Sequence, residues 1–141
     1  QFHFIGINEA DLPHDFKNKK YIVARGFIED VLTEIRDSDL YFCVTVYPLG
    51  FRSRLCEALS LGACILTSKF DQVSIPFLKN NENCFIVDDI ENTGVRLINI
   101  LNDDANINNQ IRKNARSSYV NYLSYDKAGK KFSELIQQNH I

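Results

Sequence analysis

Apolar residues in this chain fall in short runs at first and at helical spacing towards the end. Phe2–Ile5 is an apolar run closed by Gly6, and Tyr21–Ala24 is a second, ended by Arg25-Gly26; both predict strands. Leu40–Val46, LYFCVTV, is a continuous β-branched and aromatic run, the pattern of a strand covered on both faces. Ala63–Thr67 and Cys84–Val87 predict a fourth and a fifth strand. Asp30–Ser38 places Val31, Leu32 and Ile35 on one helical face. Arg52–Leu61 does the same with Leu55, Ala58 and Leu59 before a stop at Gly62. Thr93–Leu101, Asn106–Leu123 and Lys127–Gln138 are three closing helical patterns, the last capped by Asp126 or Ser124. Asn8–Lys20, polar and interrupted by Pro13, reads as a loop or one helical turn, and the segment around Pro76 as irregular. Strands alternating with helices, then closing helices, predict an α/β fold: a parallel sheet with helices on both faces. With no repeat, low-complexity tract or linker, residues 1–141 read as a single domain.

Composition changes this picture little. The chain has 141 residues, 45% hydrophobic and 24% charged, enough to bury a core. A net charge of −2 gives no bulk attraction to nucleic acid or an anionic membrane, so any useful positive charge must be local. Cys43, Cys56, Cys64 and Cys84 each sit among apolar neighbours without metal-ligand spacing, as expected of free, buried thiols in a reducing compartment. No apolar run approaches the length of a membrane span, and a cytoplasmic protein is the expectation.

Candidate chemistry concentrates after the third strand. In open parallel sheets, ligands sit outside the carboxyl ends of the strands, which here selects Gly26-Phe27-Ile28, Tyr47–Phe51 and Thr67–Phe70. Gly50 lets the backbone approach a ligand closely. The helix starting near Phe51 presents unpaired N–H groups and the positive end of its dipole, an arrangement that favours phosphate. Arg52 and Arg54 in the first turn oppose that dipole unless an anion offsets the repulsion, and a guanidinium holds two phosphate oxygens at once. Glu57, one turn on, suits a pair of vicinal hydroxyls such as a ribose offers; the alternative is a simple Arg54–Glu57 surface pair. Phe51 either stacks on a ligand or plugs the loop. Thr67-Ser68-Lys69 is a second candidate for phosphate.

GFRSRLCEALSLGACILTS resembles the donor-site segment of retaining, nucleotide-sugar glycosyltransferases of the GT-B fold (the group 1 type). Phe2–Gly6, Ala24–Val31, Asp37–Pro48, Ile75–Asp88, Asn114–Arg116 and Tyr122–Asp126 resemble further segments of that family in the same order. The resemblance implies a Rossmann-like domain, the C-terminal, donor-binding half of such an enzyme. By position it assigns the backbone of Gly50, Phe51 and Arg52 to the diphosphate and sugar, and Glu57 to the ribose. The turn bearing Phe27 and Ile28 falls to the nucleobase. It implies a nucleotide-diphosphate sugar as substrate, transfer with retention to a glycan or lipid-linked acceptor, and no bound metal or other cofactor. Cationic side chains and helix dipoles would stabilise the leaving diphosphate. Where the family commonly carries a second Glu, eight residues before the ribose Glu, this chain has Leu49. The sugar is then held differently, with Arg52 and Arg54 as the replacement pattern.

The resemblance implies an acceptor-binding domain and an upstream strand outside these residues, so the chain is expected to be a fragment, inactive by itself. Its partners are the nucleotide sugar and that domain, through which peripheral membrane association would arise, with polysaccharide biosynthesis as the setting. Two other readings are a nucleotide-sugar epimerase of the same architecture and a non-catalytic receiver-like α/β domain. The latter wants an acidic residue at an early strand end, where this chain has Gly6, Arg25-Gly26 and Tyr47. His3, His14 and His140 carry no expected catalytic role, Asp37-Ser38-Asp39 reads as a helix terminus, and Arg25 as a surface residue, with an approach to the site from the strand's carboxyl edge as the alternative. Lys127, Lys130 and Lys131 form a solvated helix face.

Overall fold

The structure is a computed structural model and describes residues 1–102 and 105–139; His140 lies outside the described residues. Its elements are β1 (Phe2–Ile5), β2 (Ile22–Gly26), α1 (Val31–Asp37), β3 (Tyr41–Phe42), α2 (Ser53–Leu61) and β4 (Ile65–Ser68). They continue with α3 (Asp71–Ser74), β5 (Phe85–Val87), α4 (Thr93–Asn102), α5 (Ala105–Tyr122) and α6 (Tyr125–Asn139). The fold is of the parallel α/β class expected from the sequence, but the strands form two sheets, β1-β2 and β3-β4-β5. The backbone divides into two compact units, Gln1–Glu34 and Ile35–Ile141.

In the first unit, β1 and β2 run parallel with Phe2 opposite Ile22 and Phe4 opposite Ala24, and the register shifts between Phe4 and Ile5. The connection contains no α-helix. It makes two single 3-10 turns, Glu9–Asp11 and His14–Phe16, where the polar pattern predicts a loop or one helical turn. Phe16 returns to the sheet, its ring 5.8 Å from that of Phe4, and Leu12 is buried. The Arg25 guanidinium donates to Glu34 Oε1 at 2.9 Å, so this basic strand end is spent within its own unit. Asp30 starts α1 as a cap should: its carboxylate accepts the Thr33 N–H at 3.0 Å and the Thr33 hydroxyl at 2.6 Å.

In the second unit, β4 is the central strand and is buried at every residue, as is β5. Leu66 lies opposite Phe85 and Ser68 opposite Val87. That register brings Cys64, Leu66, Phe85 and Val87 together with Ile100 of α4 and Ile111 of α5 in the principal apolar cluster. Each such aliphatic side chain contributes about 1.5–3 kcal/mol on burial. Leu55, Ala58 and Leu59 of α2 are wholly buried, the face predicted by their spacing.

Gly62 ends α2 at φ +65°, with its N–H on the Leu59 carbonyl and the Ala63 N–H on that of Ala58. A side chain there would also meet the Arg112 carbonyl of α5 at 3.1 Å. α5 braces the unit through its arginines: Arg112 donates to the Ser38 and Asp39 carbonyls at 2.7 and 2.9 Å. Those carbonyls belong to the stretch read as a helix terminus, and Ser38 does end α1, its hydroxyl on the Ile35 carbonyl at 2.8 Å. Asn83, buried ahead of β5, donates to the Phe77 carbonyl and Ser118 Oγ and accepts the Lys79 N–H, which holds the α3–β5 segment. The three closing helices match their predicted patterns. Ser124 stands before α6, its carbonyl taking the Ala128 N–H at 2.9 Å.

Candidate functional site

The carboxyl ends of β3, β4 and β5 open into a cleft of about 200 Å³. It is lined by Val44–Val46, by Ser68-Lys69-Phe70 and by Val87–Ile90. This is the place the topology of a parallel sheet offers a ligand, because successive strands leave the sheet there and their loops can separate. One wall is the continuation of β3 towards the Tyr47–Phe51 loop. Another is the Thr67–Phe70 turn, the second of the sequence's candidates.

β3 is shorter than the predicted Leu40–Val46 run, and the reason lies in this cleft. The ladder continues through the Cys43 N–H to the Leu66 carbonyl at 3.0 Å. Beyond it, side chains take over: the Cys43 carbonyl accepts from Arg52 Nη1 at 2.7 Å, and Thr45 Oγ1 meets Ser68 Oγ at 3.0 Å.

The two arginines of the α2 start play unlike parts. Arg52 occupies the N-cap position and turns inwards, and no side chain caps the helix. Its Nη1 reaches the two carboxylate oxygens of Asp71 at 3.3 and 3.2 Å, with the carboxylate 4% exposed. Thr67 Oγ1 donates to Asp71 Oδ2 at 2.5 Å and Ser68 Oγ to the same oxygen at 3.1 Å. Asp71, on the short helix α3, is a residue that no pattern in the sequence marks. The only available signal was its place four residues beyond Thr67, one turn on from a strand end. The Arg52 guanidinium is therefore engaged with Asp71, and the free double cation expected of Arg52 and Arg54 is reduced to one outward charge. Arg54 pairs with Glu57 Oε2 at 2.7 Å, both about half exposed, which is the alternative surface pair realised. Such a pair contributes only about 0.3–0.5 kcal/mol, so a ligand can displace it at little cost.

Gly50 adopts φ +76°, the left-handed region that glycine enters freely, and open space lies where a side chain would project. Its role in the loop is conformational. Phe51 is 62% exposed and does not plug the loop. Phe27 and Ile28 belong to the first unit; the Phe27 ring is 91% exposed and Ile28 is half-buried. The structure thus gathers Gly50, Phe51, Arg52, Arg54 and Glu57 around the start of α2, as their spacing requires.

Burial also raises the pKa of several groups in the second unit. Burial pushes the Tyr41 phenol up to about 12, the Cys43 and Cys64 thiols to about 11 and that of Cys84 to about 12. Cys56, only half-buried, is raised for the same first reason. These thiols are free and poorly nucleophilic near neutrality, and three of the four match the expected burial. At the cleft mouth, Asp89 accepts the Asn92 backbone N–H at 2.8 Å and its side-chain amide at 2.9 Å, which lowers the carboxyl's pKa. Among the described residues no group of His, Cys, Asp and Glu is placed to hold a metal ion. Nor is any helix among them long and apolar enough to cross a membrane.

No family model matches the chain, and no curated protein matches it in sequence. Solved structures do match in fold. HepE of Anabaena in complex with UDP superposes with a TM-score of 0.73 at 18% identity, over 83% of this chain and 32% of HepE. The same protein with UDP-glucose gives 0.72 at 17% identity. A glycosyltransferase from Rickettsia africae ESF-5 gives 0.68 at 17% identity, over 84% of this chain and 32% of that one. The C-terminal domain of LpcC, a glycosyl transferase group 1 family protein of Francisella tularensis, gives 0.62 at 20% identity over 75% of this chain and 55% of that domain. The chain spans about a third of the length of HepE. Its parallel α/β fold is the fold found in these glycosyltransferase structures, including a C-terminal domain of the group 1 type.

Proposed function

We propose that this chain is the donor-binding part of a glycosyltransferase and holds a nucleotide-diphosphate sugar at the carboxyl ends of β3–β5. The observation that carries the reading is a pair of neighbouring features: a cleft at those strand ends, and an α2 N-terminus without a side-chain cap, whose Arg52 donates to the Cys43 carbonyl just ahead of the Val44–Val46 wall. The diphosphate binds the exposed N–H groups and dipole of α2, with Gly50 shaping the approach and Arg54 released from Glu57 to add charge. Glu57, once released, accepts the two ribose hydroxyls. That HepE was solved with UDP and UDP-glucose supports a uridine nucleotide as the first ligand to try.

In this reading the leaving diphosphate is stabilised by the helix dipole and cationic side chains, without a metal. Transfer proceeds with retention to a glycan or lipid-linked acceptor, in cytoplasmic polysaccharide biosynthesis. The acceptor is held by a further domain of the same enzyme, through which any membrane association arises.

Isothermal calorimetry with UDP, UDP-glucose, GDP and GDP-mannose tests the reading. Binding of at least one nucleotide is expected. Glu57→Ala should weaken it about 10-fold or more, the value of hydrogen bonds to a charged acceptor. Absence of binding by all four, with the chain folded by circular dichroism, sinks it.

A further inference from the structure

The polar network beneath the cleft has a direction, and the direction follows from counting protons. Asp71 is a carboxylate beside the Arg52 guanidinium, and so an acceptor only. Thr67 and Ser68 each have one hydroxyl proton, and each gives it to Asp71 Oδ2, at 2.5 and 3.1 Å. Ser68 therefore has no proton left for Thr45, 3.0 Å away, and the bond between them must run from Thr45 Oγ1 to Ser68 Oγ. The same count holds on the neighbouring branch, where the Cys43 thiol donates to Thr67 Oγ1 at 3.7 Å. Every proton in the cluster thus points towards Asp71.

Thr45 is half-buried and lines the cleft. With its proton committed, it offers the cleft only lone pairs. We infer that Thr45 is a hydrogen-bond acceptor that takes a hydroxyl of the ligand, the transferred sugar's in a nucleotide sugar, and that this floor rejects phosphate oxygens. The inference rests on the donor-site reading and adds to it which part of the donor enters the cleft. Phosphate oxygens have no proton to give to Thr45, and Asp88 and Asp89 on the cleft wall repel them, with Lys69 the one cation in the lining. A neutral polyhydroxyl group meets neither obstacle. The diphosphate is left to the start of α2.

The test is calorimetry on the whole chain with UDP-glucose, UDP-N-acetylglucosamine and GDP-mannose, each beside its parent diphosphate, and with inorganic pyrophosphate. Thr45→Val keeps the shape and removes the acceptor. It should weaken the best-bound nucleotide sugar about three- to tenfold, as for one neutral hydrogen bond, and leave the parent diphosphate and pyrophosphate unchanged. Thr45→Ser should restore the sugar's affinity, which a merely packing role for the methyl would not allow. Ser68→Ala frees the Thr45 proton and should narrow the preference for sugar over diphosphate. The inference is overturned if Thr45→Val leaves the sugar's affinity intact, or weakens sugar, diphosphate and pyrophosphate alike. Wild-type chain that binds no nucleotide at all overturns the donor reading, and this inference with it.

Discussion

The two parallel sheets are built from similar apolar runs and end in different states. β1 presents Phe2 and Ile5 at 43% and 37% exposure, and no residue of β2 is buried. β4 and β5 are buried throughout, with α2, α4 and α5 contributing wholly or nearly buried residues to the same unit. A two-stranded sheet has two edges and no interior strand, whereas a third strand gives β4 a neighbour on each side. The polar chemistry follows the same division. A carboxylate such as Asp71 can be held at 4% exposure only where a guanidinium and hydroxyls are fixed around it by packed strands.

Removing the buried partner should have the largest effect. Asp71→Ala leaves Arg52 uncompensated and should cost about 3–5 kcal/mol in urea unfolding. The same substitution at Glu34, which pairs with Arg25 nearer the surface, should cost under about 1 kcal/mol. Equal losses would erase the distinction between the two regions. Leu59→Ala in α2 follows, at about 2–5 kcal/mol. Gly62→Ala should cost about 1–2 kcal/mol, because both the positive φ and the Arg112 carbonyl oppose a side chain.

The pH dependence sharpens the same contrast, since Tyr41, Cys43, Cys64 and Cys84 all lie in the second unit. Their folded pKa values stand above the unfolded ones of 9.0 and 10.0, so the folded state binds more protons between them. Their contribution is complete below about pH 9 and is lost as pH rises towards 11–12. Denaturation midpoints should fall over that window, and replacing Cys84 by Ala should flatten the fall. Amide exchange should be slower in β4 and β5 than in β1 and β2. The smallest effect belongs to Arg54→Ala, within about 0.5 kcal/mol of wild type, despite the 2.7 Å pair with Glu57.

Much of this molecule is legible from residue order alone. The apolar face of α2, its stop at Gly62, the three closing helices and the alternation of strand and helix are local properties, set by side-chain period and glycine's conformational freedom. The clustering of Gly50, Phe51, Arg52, Arg54 and Glu57 at one helix start follows from their proximity in the chain. Tertiary structure decided what those residues are free to do. The spacing of Arg52 and Arg54 suggests two equivalent cations, but only packing against β4 reveals a carboxylate 19 residues further on that claims one of them. Packing also shortened β3, by offering the Cys43 carbonyl a guanidinium instead of a ladder partner. The direction of the hydroxyl chain from Thr45 through Ser68 to Asp71 depends on the continuation of β3 meeting the β4–α3 turn. Period and spacing report on neighbours within a few turns, whereas a buried charge and the protons aimed at it depend on which distant segments the core brings together.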